Sequence, residues 1–199
     1  TLKTMKTWHW VLGGLALVML MLAGGYNGLV SKDVAVAARL GEIQVQEQRR
    51  GDLVPQLVET VRGYAAHEKG VFEAVTKARA EVGKLSIDPS KLAGDPALMK
   101  QFMEASQTFS GSLSRLIAVS EAYPQLKANE GFLTLQKQLE GNENRIAVAR
   151  RNFVLAIQDY NTAIRGFPAV LYAGMLGFTK KPEFEAPAAS REVPKVKFN

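Results

Sequence analysis

Between Phe132 and Phe167 a large apolar residue returns at every seventh position: Phe132, Leu139, Ile146, Phe153, Tyr160 and Phe167. Three residues after the first five of these come Leu135, Asn142, Ala149, Ala156 and Ala163, so a single polar residue, Asn142, interrupts the face. This spacing marks one long α-helix with a coiled-coil-like seam. A helix of that length cannot bury its seam alone, and other long segments must cover it. The fold class that follows is all-α: an N-terminal transmembrane helix, then an elongated antiparallel helical bundle of long, kinked helices, then an extended C-terminal tail.

The anchor is read from charge. No Asp, Glu, Lys or Arg occurs between Lys6 and Lys32. Residues 11–30 are largely apolar, the length needed to cross ~30 Å of hydrocarbon. Trp8 and Trp10 stand at one edge and Tyr26 at the other, where amphipathic rings favour the headgroup zone. A cleaved signal peptide would have a shorter apolar region and small residues before the cut. Met21 lies three residues before Gly24 and fits that poorly, so a retained anchor is expected. Gly24 and Gly28 form a GxxxG spacing of the kind that lets two membrane helices approach closely. Met5-Lys6 reads as a natural start, with residues 1–4 as an extension. Lys3 and Lys6 before the anchor and Lys32 and Arg39 after it give little positive-inside bias. A short basic N-terminus seldom crosses the membrane, so the chain is expected to be a single-pass cell membrane protein with an extracytoplasmic helical domain; a cytoplasmic domain, towards which Arg49 and Arg50 pull, is the alternative.

Four units follow along the chain: an N-terminal flank (1–10), the anchor (11–30), a helical bundle (34–178) and a Pro-rich extended tail (179–199). Within the bundle, 34–83 carries a heptad stripe with Ile43, Arg50, Leu57, Tyr64, Val71 and Ala78 at one position and Glu47, Val54, Val61, Glu68, Val75 and Val82 at the other. Pro55 interrupts it, lacking an N–H and crowding the carbonyl four residues earlier, and a kinked but continuous helix is expected. A Gly/Pro/Asp/Ser-rich connector leads to Asp95-Pro96, a helix start with an acceptor at the cap and proline in the first turn. The third helix runs to about Tyr123 with a stripe of Leu98, Phe102, Ala105, Phe109, Ser112, Leu116, Val119 and Tyr123.

The net charge of +6 is concentrated at the ends. The first ten residues carry two lysines, and from Lys180 onward there are five basic and three acidic residues, leaving 18 basic against 16 acidic between. A nucleic-acid face needs clustered positive charge, and none is expected here. With no cysteine, disulfides, thiolate metal sites and a Cys nucleophile are excluded. His9 and His67 are the only histidines. No Glu-x-x-His pairs, phosphate loop or nucleophile-base pattern accompanies them. No enzymatic activity, metal or cofactor is expected.

Polar residues on apolar stripes carry more information. Arg50, Glu47 and Glu68 fall on the first stripe and Asn142 on the last. Buried polar groups cost free energy unless they are paired. A polar layer joining Arg49 or Arg50 to Glu140, Asn142 or Glu143, with Glu68 a further candidate, would fix register. Exposure of Arg50 through rotation at Pro55 is the competing arrangement. Arg150 and Arg151 are expected on the helix flank. The uncharged run 167–178 is too short to span a membrane. Its Phe167, Leu171, Met175 and Phe178 are candidate interface residues, open to packing on the bundle, to the membrane surface or to another subunit.

Three stretches resemble the LemA family: RRGDLVPQLVETVRGYAAHE (49–68), AYPQLKANEGFLTLQKQLEGNENRIAVARRNF (122–153) and YNTAIRGFP (160–168). The resemblance runs from about Tyr26 to the tail. It implies a membrane-anchored helical bundle without an assigned enzymatic activity. Genes of the family lie, in some bacteria, near those for membrane proteases or TPM-domain proteins. One departure is Gly51, where the family more often has a helix former, which weakens the helix before Pro55. Two functions compete. One is a self-associating, homo-oligomeric scaffold or membrane-organising protein in the lipid bilayer. The other is an adaptor module for a membrane protease or signalling protein.

Overall fold

The computed structural model describes the backbone of residues 2–182 and the side chains of residues 8–182. Its spine is α1, Leu2–Arg62, a helix of 61 residues, about 90 Å long at 1.5 Å per residue. The remaining helices are α2 (Lys69–Leu85), α3 (Pro89–Gly94), α4 (Pro96–Val119), α5 (Pro124–Lys127) and α6 (Glu130–Arg165). Short 3-10 turns follow at Ser120–Ala122 and Ala169–Leu171. Every described element is helical, in agreement with the all-α expectation.

Side-chain pairs fix the topology. Asn129 donates to Tyr64 at one end of the α1/α6 pair (3.1 Å), and Lys181 meets Asp33 at the other (2.8 Å). Helix α6 therefore runs antiparallel to α1 along most of the bundle. Gln44 of α1 donates to the carbonyl of Ile87 after α2 (2.8 Å), and Arg62 stacks over Phe72 at the opposite end, so α2 also runs antiparallel to α1. Helix α4 returns parallel to α1. The result is an up-down-up-down arrangement joined by short connections.

The core follows the stripes with two instructive shifts. Phe132, Leu139, Ile146, Phe153 and Tyr160 are all buried, as are Leu135, Asn142 and Ala149. Further on, Ala156 and Ala163 are only half-buried and Ile157, Asn161 and Ile164 take their place. A straight helix turns once per 3.6 residues, so a seven-residue beat drifts and the buried face moves to later positions. Phe167, the last member of the seven-residue series, lies beyond the helix and is 84% exposed. On α4, Phe102, Phe109, Ser112 and Leu116 are buried together with Met99, Ser106 and Leu113, while Leu98, Ala105 and Val119 are only half-buried.

Three boundaries differ from expectation. The segment 34–83 is not one helix: α1 passes through Pro55, which is exposed, and stops at Arg62. The chain turns at 63–68, where Tyr64 and Ala65 both donate to the Val61 carbonyl (3.0 and 2.9 Å). Either half of the stripe satisfies the same heptad, so periodicity alone does not distinguish a long helix from a helical hairpin. The connector also holds a helix, α3, capped by Asp88 through the Ser90 N–H (2.8 Å), while Asp95 caps α4 through Ala97 (2.8 Å) and Leu98 (3.1 Å). Thirdly, nothing separates anchor from bundle, because α1 runs unbroken through residues 30–34. Gly51 does not interrupt it either; an added Cβ there would stand 3.5 Å from Arg79 Nε, an ordinary contact.

The end of the bundle is strapped. Asn161 behaves as a strand-like partner, donating to the Lys181 carbonyl (3.0 Å) and accepting from the Lys181 N–H (2.9 Å). Tyr160 donates to the Thr179 carbonyl (3.1 Å), and Lys181 Nζ lies 5.1 Å from its ring centroid. Burial, with the nearby Asp33 charge second, raises the Tyr160 phenol above its ordinary pKa. The tail expectation holds its first members here, at 179–182; residues 183–199 lie outside the described residues.

One glycine is required by packing. A Cβ on Gly25 would lie 2.0 Å from Tyr172 Oη. Gly25→Ala is expected to push Tyr172 off α1 and to cost about 1–3 kcal/mol, the usual range for overpacking. Hydrogen exchange should then accelerate over 169–181 while α2 and α4 are unchanged. Adding Tyr172→Phe, which removes the clashing oxygen, should recover most of the loss; no recovery would contradict this packing.

Candidate functional site

Glu47 and Arg50 are one turn apart on α1, on the face turned toward α4 and α6. Both are fully buried, although the stripe calls for apolar residues there. Arg50 donates to the Glu47 carboxylate, to Ser110 Oγ (2.6 Å), to Glu143 Oε1 (2.7 Å) and to the Ser106 carbonyl (3.2 Å). Its guanidinium also stacks over Phe109, 4.5 Å from the ring centroid. Ser106 donates its hydroxyl proton to Glu47, and Arg150 donates to that same hydroxyl oxygen (2.6 Å) and to Glu47 (3.4 Å). Two arginines thus face two glutamates, and the cluster is electrically balanced. The planar, forked guanidinium of Arg50 suits this role, since it reaches donors into α1, α4 and α6 at once.

Asn142 extends the layer by donating to the Gln46 carbonyl and to its Oε1, both at 3.2 Å. Among the described residues three buried side-chain atoms remain without a hydrogen-bond partner, all in this layer: Arg50 Nε, Asn142 Oδ1 and Arg150 Nε. Of the polar-layer candidates, the fold brings together Arg50, Asn142 and Glu143 and leaves out the other three. Arg49 is exposed, about 100° around α1 from Arg50. Glu140 is exposed and accepts from Gln136 on its own helix (3.1 Å). Glu68 lies at the turn into α2, more than four turns from Arg50 along the chain. Arg150, expected on the flank, is instead part of the cluster; Arg151 is exposed. Ser106 and Ser110 were not foreseen. Their signal is a spacing of four on α4, which puts both hydroxyls on one face.

A second feature lies at the other end of the bundle. The α1 stretch from Trp8 to Leu22 has no buried residue, and its large apolar side chains are exposed on all sides. It is long and apolar enough to cross a membrane. Gly24 and Gly28 meet nothing within 4 Å of an added Cβ, so their face of α1 is open. Tyr26 packs edge-on against Phe178 (centroids 5.8 Å apart), and Trp8 and Trp10 are exposed. Of the four interface candidates, Phe178 is half-buried on α1, whereas Phe167, Leu171 and Met175 are exposed. His67 is exposed at the α1–α2 turn. Among the described residues no three His, Asp or Glu side chains stand together as a metal-binding group.

A helical bundle built on a helix that is apolar and unburied at one end defines a membrane-associated helical protein. The LemA family model matches residues 39–198, and the chain belongs to the LemA family. Among its relatives is the magnetosome protein MamQ of Magnetospirillum gryphiswaldense, 29% identical over 184 residues, covering 84% of this chain and 68% of the relative. Magnetosome protein MamQ 1 of Paramagnetospirillum magneticum matches with the same identity and coverage. Protein LemA of Metamycoplasma hominis is 23% identical over 125 residues, covering 63% of this chain and 52% of the relative.

Removing one member of a buried, hydrogen-bonded charge group leaves the others unpaired. Arg50→Met is therefore expected to cost about 3–5 kcal/mol in denaturant unfolding. Glu143 is 43% exposed, so Glu143→Gln should cost about 1 kcal/mol or less. Equal losses at the two positions would contradict the idea that the bundle depends on the buried half of the network.

Proposed function

We propose that this chain is a non-catalytic membrane scaffold. Helix α1 anchors it in the bilayer, the bundle stands on the extracytoplasmic side, and copies associate into a homo-oligomer that organises the membrane. The observation that carries this reading is the continuity of α1. One helix is bare and apolar from Trp8 to Leu22 and becomes the spine of the bundle from Leu29 onward. A rigid post of this kind transmits the orientation of the span to everything packed on it. The open face at Gly24 and Gly28 supports self-association, since small residues let membrane helices approach closely and gain van der Waals contact. The buried charge layer supports a structural rather than catalytic role for its residues: most of their donors and acceptors are committed to one another across three helices. Such layers select one register at some cost in stability.

The native mass of the detergent-extracted particle tests this. A homomer of several copies is expected, and Gly24→Leu together with Gly28→Leu should reduce its mass. A monomer that recovers one membrane protease or signalling protein on pulldown would instead favour the adaptor reading. In intact cells a C-terminal tag should be open to external protease only after the outer barrier is breached; protection beyond the cytoplasmic membrane would reverse the assigned side.

A further inference from the structure

We propose that residues 167–176 form a second membrane contact, an apolar foot that enters the headgroup and upper acyl zone of the bilayer where α1 leaves it. The inference rests on the anchored reading of α1 and adds to it a site outside the spanning helix.

The segment has two faces. Ala169, Tyr172 and Ala173 are buried and hold it to the bundle. Phe167, Val170, Leu171, Met175 and Leu176 are exposed, Phe167 and Met175 at 84% each. This is a dense cluster of large apolar side chains, contributed by one short stretch. The backbone holds it in shape: Ala173 donates to Ala169 (2.8 Å), Phe178 donates to Ala173 (3.0 Å), and Gly177 turns the chain at φ 83°. The Asn161 and Tyr160 bonds to residues 179–181 then close the segment onto α6.

Its position identifies the occupant. The foot packs on α1 at Gly25, through Tyr172, and at Tyr26, through Phe178. From Trp8 to Tyr26 the helix rises about 27 Å, close to the ~30 Å of a hydrocarbon core. Tyr26 therefore sits near the boundary of the bilayer, and the apolar face of the foot lies at the same level. Lys32 and Arg165 are exposed at this end of the bundle, where lipid phosphates would meet them. Lys181 is paired with Asp33. An interfacial element combines these features: an apolar face toward the acyl chains and basic groups at the headgroups.

The chain has no cysteine, so single probe sites can be placed without interference. Full-length Leu171→Cys and Met175→Cys, labelled with an environment-sensitive nitrobenzoxadiazole dye, are reconstituted in phosphatidylcholine–phosphatidylglycerol vesicles. Leu17→Cys marks the span and Val148→Cys marks exposed apolar surface on α6. At 171 and 175 the emission should shift to the blue and rise severalfold over Val148→Cys. Lipids carrying a shallow spin label should quench it more than lipids carrying a deep one, the reverse of Leu17→Cys. Water-like emission at 171 and 175 with lipid quenching at 17 would overturn the foot and leave the anchor standing. Blue-shifted emission that lipid spin labels do not quench would also overturn it, in favour of a cover supplied by another copy of the chain. Water-like emission at 17 would remove the anchored reading and the foot with it.

Discussion

The length of α1 without a break governs the rest of the molecule. A helix that long gains little from its own backbone bonds relative to water; its stability comes from what covers its faces. The chain meets that need in two different ways along one rod. From Leu29 upward, α6, α2, α3 and α4 cover it with Leu40, Ile43, Val54, Leu57 and Val61 fully or almost fully buried. From Trp8 to Gly24 no part of the described chain covers it, and its side chains are those that hydrocarbon solvates well. The burial changes while the secondary structure does not, and the bare apolar stretch and the bundle share one helix.

The middle of the bundle presents the opposite problem. Glu47 and Arg50 occupy positions that would pack better as leucines, and their desolvation is offset only because α4 and α6 bring Ser106, Ser110, Glu143 and Arg150 to them. Sliding either helix by one turn, about 5.4 Å, would strand charges in the core. Apolar layers above and below tolerate such a slip far better. The ionic layer thus selects one alignment of three helices, and the apolar layers supply most of the burial that holds it.

Much of this was legible in the residues because it is local. The beat of α6 through Phe132, Leu139, Ile146, Phe153 and Tyr160 needs only helical periodicity, and the Asp95-Pro96 start needs only a side-chain acceptor and a fixed φ. The uncharged run after Lys6 needs only length and composition. What stayed hidden depends on tertiary partners. Pro55 looked like the most disruptive residue in the first stripe, yet on an exposed face of a supported helix it does not end it. The turn at Gly63 had one weak signal, and the apolar beat resumes on the far side with the same phase. Arg150 looked like a flank residue because its partner is Glu47, 103 positions earlier. Arg49 and Arg50 are adjacent in sequence, but a rotation of about 100° sends one to solvent and the other to the core. Gly25, rather than the GxxxG pair beside it, proved to be the packed glycine, because Tyr172 is far away in sequence.

In the anchored protein, span and bundle would share one rigid helix across the membrane boundary. A spin-label scan through residues 15–45 of the reconstituted full chain tests it most directly, reading mobility and collision with oxygen and with a water-soluble relaxant at each position. Unbroken 3.6-residue periodicity is expected across Gly24, Gly25 and Gly28, with oxygen favoured below Tyr26 and the water-soluble relaxant favoured at exposed sites above Lys32. Loss of periodicity and high mobility between 24 and 34 would mean a hinge where the structure has a rod, and would contradict it.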